Sequence, residues 1–327
     1  HHDFKSSITT YFKRRFDTDM DEDWILYSPS VMYSVSLLIR LLSQPHDKVL
    51  TMNPMYDAFI NVIKENDREL LSHHLIKEEG TFKIDFDVFE KQAQESTLLL
   101  LCSPHNPTGR IWSDEEMHRM IEICKKYQVK IISDEIHMDI RIKDAKHHPL
   151  MKYYDEYKDI FTASSSSKTL NTPGLIGSYV IIPDEKIRDE FLGVTRRRDF
   201  LNSASIFGMY ATMIGYTECD DYIDQLNEYI RGNMELVENF IRDELKDFKF
   251  QRPEATYLAW IDARDVPFTS DEIQDALVNV GGVAIMKGEI YGENGAKYLR
   301  MNLGCPRSKI EEGLKRFKKA MDYLYNK

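Results

Sequence analysis

Ser164-Ser165-Ser166-Ser167-Lys168-Thr169-Leu170-Asn171 sits between two apolar runs, Ile160 to Ala163 and Ser178 to Ile182. It sets a run of hydroxyls and one primary amine at the end of a strand-like segment. Two other polar clusters stand in equivalent places. Ser103-Pro104-His105-Asn106-Pro107-Thr108-Gly109-Arg110 follows the apolar run Thr97 to Cys102. Ser133-Asp134-Glu135-Ile136-His137-Met138-Asp139 closes the run that starts at Val129. In open α/β sheets ligands bind beyond the carboxyl ends of the strands. Three polar clusters at consecutive strand ends therefore describe one site.

Outward from these clusters, apolar runs alternate with amphipathic ones. Lys48 to Met52 adds another strand. Ser113 to Tyr127 reads as a helix, with Ser113 as N-cap and Glu116 completing a capping box. Glu185 to Leu192 reads as a short helix. Strands apolar throughout and joined by helices indicate an α/β fold, its parallel sheet covered on both faces. After about Thr217 the texture changes. A long helix from Asp221 to about Leu245 leads into strands at Tyr257 to Ile261, Val283 to Met286 and Tyr298 to Asn302, with helices at Ser270 to Val278 and Ser308 to Leu324. The expected division is a large domain over 1–217 and a smaller α+β domain over 218–327.

The chain has 327 residues, 42% of them hydrophobic, enough to bury a large core. A net charge of -11 repels phosphate backbones and argues against nucleic acid as a partner. The basic run Arg196-Arg197-Arg198 reads as a helix face turned to solvent or carboxylates. Cys102, Cys124, Cys219 and Cys305 form no C-x-x-C pair, which argues against a zinc ribbon or disulfide framework and suits a reducing compartment. No apolar run reaches membrane-span length and no signal peptide is visible, so a cytoplasmic enzyme is expected.

The clusters divide the chemistry among them. Asp134, at an apolar strand's end, is expected to be buried and to need a cation or hydrogen-bond donors. Lys168 can form a Schiff base, and the serines can hold phosphate oxygens. Asn106 lies in a turn stiffened by Pro107 and Gly109. A carboxylate for a pyridinium nitrogen, an amine for an aldehyde, hydroxyls for a phosphate and an amide for a ring oxygen together describe a pyridoxal 5'-phosphate (PLP) site. Two rivals use the same letters. Asp134-Glu135-Ile136-His137 matches a helicase D-E-x-H box, and Ser167-Lys168-Thr169 the end of a Walker A loop; but the serine run lacks glycines and follows the acidic box instead of preceding it. A metal site from Asp134, His137 and Asp139 has loose spacing and no second histidine at helical distance, so none is expected.

With Asn171, Gly174 and Tyr298-Leu299-Arg300-Met301-Asn302-Leu303-Gly304-Cys305-Pro306-Arg307, these motifs resemble fold-type I PLP enzymes, the class I/II aminotransferases. Within them the chain resembles the MalY/PatB-like cystathionine β-lyase group, from Trp24 to the last helix. The resemblance implies the aspartate-aminotransferase-like fold: a mostly parallel seven-stranded sheet in the large domain, and a smaller α+β C-terminal domain. It implies PLP as cofactor, an amino-acid substrate and a homodimer. Lys168 becomes the lysine that holds the cofactor and shuttles protons, and Asp134 the partner of the pyridinium nitrogen. Asn106 and His137 fall near the ring's 3'-oxygen, and Tyr56 is the aromatic stacked on the ring. Val31 and Met32, after Ser28-Pro29-Ser30, form the helix start at the phosphate, with Ser165 and Ser167 as further phosphate contacts. Arg300 clamps the substrate α-carboxylate bidentately. On the residues alone, the lesser alternatives are Ser30 as a helix cap only, Tyr56 and His137 as core side chains, Ser167 as a serine turned away, and Arg300 as a surface ion pair.

The implied reaction is cleavage of cystathionine or a related cysteine S-conjugate to thiol, pyruvate and ammonia. Transamination between an amino acid and a 2-oxo acid begins with the same residues and is the second reading. A regulator that retains the fold without catalysis is the third. Many aminotransferases carry an arginine eight residues after the lysine; Ile176 stands there, as a non-arginine does in the lyase group. Ala255 replaces the group's usual glycine. The family's N-terminal arm, with a glycine-tyrosine segment that gates substrate, precedes the region matched here and is absent from this sequence.

Overall fold

The computed structural model describes residues 2–201 and 203–327. The chain opens with helix α1 (His2–Phe16), strand β1 (Ile25–Ser28) and helix α2 (Val31–Leu42). Then come β2 (Lys48–Asn53), α3 (Asp57–Lys64), β3 (Glu69–His74), a small hairpin of β4 (Ile76–Glu78) and β5 (Thr81–Lys83), and α4 (Phe86–Ala93). Strands β6 (Leu98–Cys102), β7 (Lys130–Asp134), β8 (Ile160–Ser165) and β9 (Ser178–Ile181) complete the main sheet. Helix α5 (Asp114–Tyr127) joins β6 to β7, while α6 (Glu185–Gly193) and α7 (Ile206–Glu218) follow β9.

The seven-stranded sheet has the order β1-β9-β8-β7-β6-β2-β3. It is parallel from β8 to β3, and β9 runs antiparallel to both neighbours. Strand β6 is buried at every position, as a central strand covered on both faces must be. One face packs on α1, α4, α5 and α7 through Phe4, Tyr11, Phe89, Met117 and Tyr216. The other packs on α2, α3 and α6 through Val35, Leu38, Phe59 and Phe191. The capping box at Ser113 and Glu116 starts α5 where the spacing places it.

Beyond α7 lie α8 (Asp220–Glu244), β10 (Leu258–Asp262), α9 (Ser270–Ala276), β11 (Met286–Lys287), β12 (Tyr298–Asn302) and α10 (Arg307–Tyr325). These elements share their own apolar core, which also takes in Ile140 and Ile142 from the loop after β7. One expectation needs correction, and two sheet strands were not read from the sequence. Val283 to Ile285 lies outside β11, because the chain turns at Gly282 with φ +68° and only Met286 and Lys287 come alongside β12. Strands β1 and β3 escape the pattern search because both are sheet edges. An edge strand needs few apolar residues, and β3 carries Glu69, Ser72, His73 and His74.

Candidate active site

Because β6, β7 and β8 pair in parallel, their carboxyl ends lie side by side, with Cys102 opposite Asp134 and Asp134 opposite Ala163. A cavity of about 190 Å³ opens there. Val31, Met32, Tyr56, Asn106, Asp134, His137, Lys168 and Arg300 all line it. Residues separated by up to 269 positions in the sequence are thus brought to one chamber.

Lys168 stands on a tight turn after β8, closed by Leu170 N–H donating to the Ser166 carbonyl (2.9 Å) and Thr172 N–H to that of Ser167 (3.0 Å). The turn lifts the lysine off the sheet end into the opening. Asp134 is the last residue of β7 and is buried. Its carboxylate accepts the Ile136 N–H at 3.1 Å. Burial raises its pKa to about 7, against the opposing effects of that hydrogen bond and the Lys168 charge. His137 is pushed down to about 3 by burial, reinforced by the charges of Lys168 and Arg300, so its ring is neutral. Its Nδ1 has no hydrogen-bond partner among the described residues. Tyr257 packs against the ring edge-on at 5.6 Å.

Arg300 reaches the cavity from β12. It donates to Asn106 Oδ1 at 3.2 Å and lies 4.5 Å over the Tyr291 ring. No carboxylate among the described residues pairs with it, so the ion-pair alternative for this arginine falls away. Asn106 is held by its loop: Gly109 takes φ +68° and donates its N–H to the His105 carbonyl (2.7 Å), while Arg110 bridges Glu116 and Glu254 at 2.7 and 2.9 Å. Val31 and Met32 open α2 behind the Ser30 cap, whose hydroxyl accepts the Tyr33 N–H at 3.1 Å. The helix start therefore directs free backbone N–H groups and a positive dipole end at the cavity, with no acidic residue in the first turn. Tyr56 lies at the start of α3, half-buried and edge-on to Phe59.

Ser165 and Ser167 depart from expectation. Neither lines this cavity. The Ser165 hydroxyl lies 3.0 Å from the Gly177 carbonyl and 2.9 Å from the Ser167 hydroxyl, and its oxygen accepts the Ser167 N–H at 3.2 Å. It ties β8 to the approach of β9. Ser167 borders an adjoining cavity of about 330 Å³, which shares Lys168, Tyr257 and Asn302 with the first. Cys102, Ile136, Tyr257, Leu258 and Asn302 complete the wall without having been assigned from sequence. The strand-end rule that singled out Asp134 also covers Cys102 and Asn302, each the last residue of its strand.

The rival metal set does not converge. Asp139 faces away from the cavity and accepts hydrogen bonds from Tyr11 (2.6 Å) and Thr169 (2.8 Å). No group of three or more metal-ligating side chains forms among the described residues. Glu135 also turns away. It accepts from the Leu150 N–H (2.8 Å) and the Ser133 hydroxyl (3.0 Å), with His147 Nε2 3.5 Å distant, too long for a strong hydrogen bond.

The chamber suits an aldehyde-bearing cofactor with a protonatable ring and a phosphate. Asp134 is a buried carboxylate with no cation paired to it among the described residues, the setting a protonated ring nitrogen would complete. A helix N-terminus without acidic residues faces the same space, with a lysine at its mouth.

The family model described as aminotransferase class I and II matches residues 1–317. The cystathionine β-lyase PatB of Bacillus subtilis is 32% identical over 320 residues, spanning 97% of this chain and 82% of that protein. Protein MalY of Escherichia coli is 35% identical over 314 residues, spanning 95% of this chain and 80% of that protein. The crystal structure of cystalysin from Treponema denticola, which contains a PLP cofactor, superposes with a TM-score of 0.94 at 29% identity, covering 99% of this chain and 83% of that one.

Proposed function

We propose that this chain, which belongs to the class I and II aminotransferase family, is a PLP-dependent carbon–sulfur β-lyase that cleaves cystathionine or a related cysteine S-conjugate to thiol, pyruvate and ammonia. The observation that carries the reading is the pairing of two unpartnered charges in one cavity. Asp134 offers a carboxylate at its floor and Arg300 a guanidinium at its rim, with Lys168 in the same wall. An amino acid joined to PLP needs both charges.

PLP, when bound, supplies an aldehyde for the amine and an electron sink for the bond broken at Cα. The chain's residues do the rest. Lys168 would hold the aldehyde, and its free amine would be the base that takes the Cα proton. Asp134 keeps the ring nitrogen protonated, which offsets the carboxylate's own burial. Arg300 grips the α-carboxylate, and Asn106, whose Oδ1 already accepts from Arg300, keeps its amide N–H groups for the ring oxygen. His137, neutral and without a partner on Nδ1 among the described residues, would offer that oxygen a second contact. The first turn of α2, at Val31 and Met32, would receive the phosphate. Proton loss from Cα then expels the thiolate from Cβ, and hydrolysis of the remaining fragment releases pyruvate and ammonia.

The preference for elimination over transamination rests on the likeness to PatB and on Ile176, half-exposed and away from the cavity, where many aminotransferases carry arginine. Cystathionine supplied without a keto acid is expected to yield pyruvate. No pyruvate, together with turnover of an amino-acid and keto-acid pair, would sink the lyase reading.

The proposal extends to organisation. A large cofactor-binding domain over 1–217 and a small domain over 218–327 are supported by the separate apolar core of the C-terminal elements. A homodimer is supported by exposed Ile176, Phe200, Ile206, Phe207 and Tyr210, too apolar a surface to leave in water. Light scattering on the purified protein tests it. A cytoplasmic location is supported by four cysteines with no disulfide.

A further inference from the structure

Lys168 is flanked by two anchored hydroxyls. Ser166 Oγ lies 2.9 Å from Thr212 Oγ1 of α7, and Thr169 Oγ1 donates to Asp139 Oδ2 at 2.8 Å. Asp139 is buried, and its other oxygen accepts the Tyr11 hydroxyl of α1 at 2.6 Å. Its backbone is fixed as well, because Asn227 of α8 donates to the Asp139 carbonyl at 2.9 Å and accepts the Arg141 N–H at 3.0 Å. The N-terminal helix and the lysine turn therefore meet at the Asp139 side chain, and the first helix of the C-terminal elements holds its backbone. Asp139 does not line the cavity and touches nothing that would react.

We propose that Asp139 is a positioning residue: through Thr169 it sets the height and direction of the Lys168 amine, and through Tyr11 it ties that geometry to the N-terminal helix. The reason is leverage. Lys168 is a long, flexible side chain on an exposed turn, so only its backbone can be preorganised. Thr169 is the next residue, fully buried, and its bond to a carboxylate is of the stronger, charge-assisted kind when Asp139 is ionised. Burial draws the Asp139 pKa upward, and the Tyr11 and Thr169 hydroxyls pull against that rise.

This rests on Lys168 being the cofactor lysine. The test is the rate at which the visible absorption band of lysine-bound cofactor appears after PLP is added to cofactor-free protein, well below the melting temperature. Thr169→Val keeps the shape and removes the hydroxyl; Thr169→Ser keeps the hydroxyl. The expected result is band formation slowed about tenfold in Thr169→Val and restored to within about twofold in Thr169→Ser, as loss of one hydrogen bond to a charged group implies. With S-conjugate substrate, kcat should fall in the valine variant while KM holds. If Thr169→Val does not fold, Tyr11→Phe takes its place, with about twofold to threefold slowing expected from the remoter bond. Band formation at the parent rate in the valine variant, or in Tyr11→Phe where that is the one measured, overturns the assignment while leaving the lyase reading intact. No band in the parent overturns both.

Discussion

Asp134 and Asp139 are two buried carboxylates in one short stretch of chain, and their surroundings are opposite. Asp139 accepts from two hydroxyls and is closed off by packing. Asp134 accepts one backbone N–H and faces an open cavity that also holds an unpaired arginine and an unpartnered imidazole nitrogen. A buried charge with its partners in place is scaffold. A buried charge without them costs stability on the order of several kcal/mol, and is explained when a ligand supplies the missing partner.

The strongest way to break this contrast is Asp134→Asn. Activity should fall by about a hundredfold or more, because the ring nitrogen loses the charge that keeps it protonated. Stability of the cofactor-free protein should move the other way. Its Asp134 pKa, about 7, lies above the usual 3.8, so between those values the folded protein keeps a proton that the unfolded chain has released. Stability therefore falls as pH rises from about 4 to 7 and stays lower above. Removing that slope should stabilise the cofactor-free variant at pH 8 by roughly 2–4 kcal/mol, with convergence toward pH 4. Thermal melts at the two pH values check it. A variant no more stable than the parent at pH 8 means that Asp134 has a partner after all.

Arg300→Lys is the next largest. It keeps the charge and loses the fork, so KM for the amino acid should rise about tenfold to a hundredfold with kcat nearly unchanged. Steady-state kinetics separate the two. A fall in kcat at constant KM would remove Arg300 from the carboxylate site. Tyr11→Phe is smaller and sharpens the Asp139 side. It should lower stability by about 1–3 kcal/mol, read by urea unfolding, and leave KM where it was. A shift in KM would put Tyr11 in contact with substrate rather than behind it.

The sheet and most of the cavity were legible because apolar strands stand out, and polar clusters at their ends stand out more. Asn106, Asp134 and Lys168 each follow or close such a run. Arg300 was legible only through its motif, since its lack of an acid partner is a fact of three dimensions. The orientation of Ser165 was not legible at all. Within a serine run no periodicity marks which hydroxyl turns inward, and here the Gly177 carbonyl, brought up by the antiparallel pairing of β8 with β9, decides it. Strand β3 was hidden by its polar edge composition. The Asp139 network was hidden by distance, because Tyr11 lies 128 residues away.

The most direct measurement is the visible spectrum of the purified chain with PLP, recorded for the parent and for Lys168→Ala. The expected result is an absorption band of lysine-bound cofactor in the parent, missing from the variant. No band in the parent, or the same band in both, would contradict Lys168 as the residue that holds the cofactor.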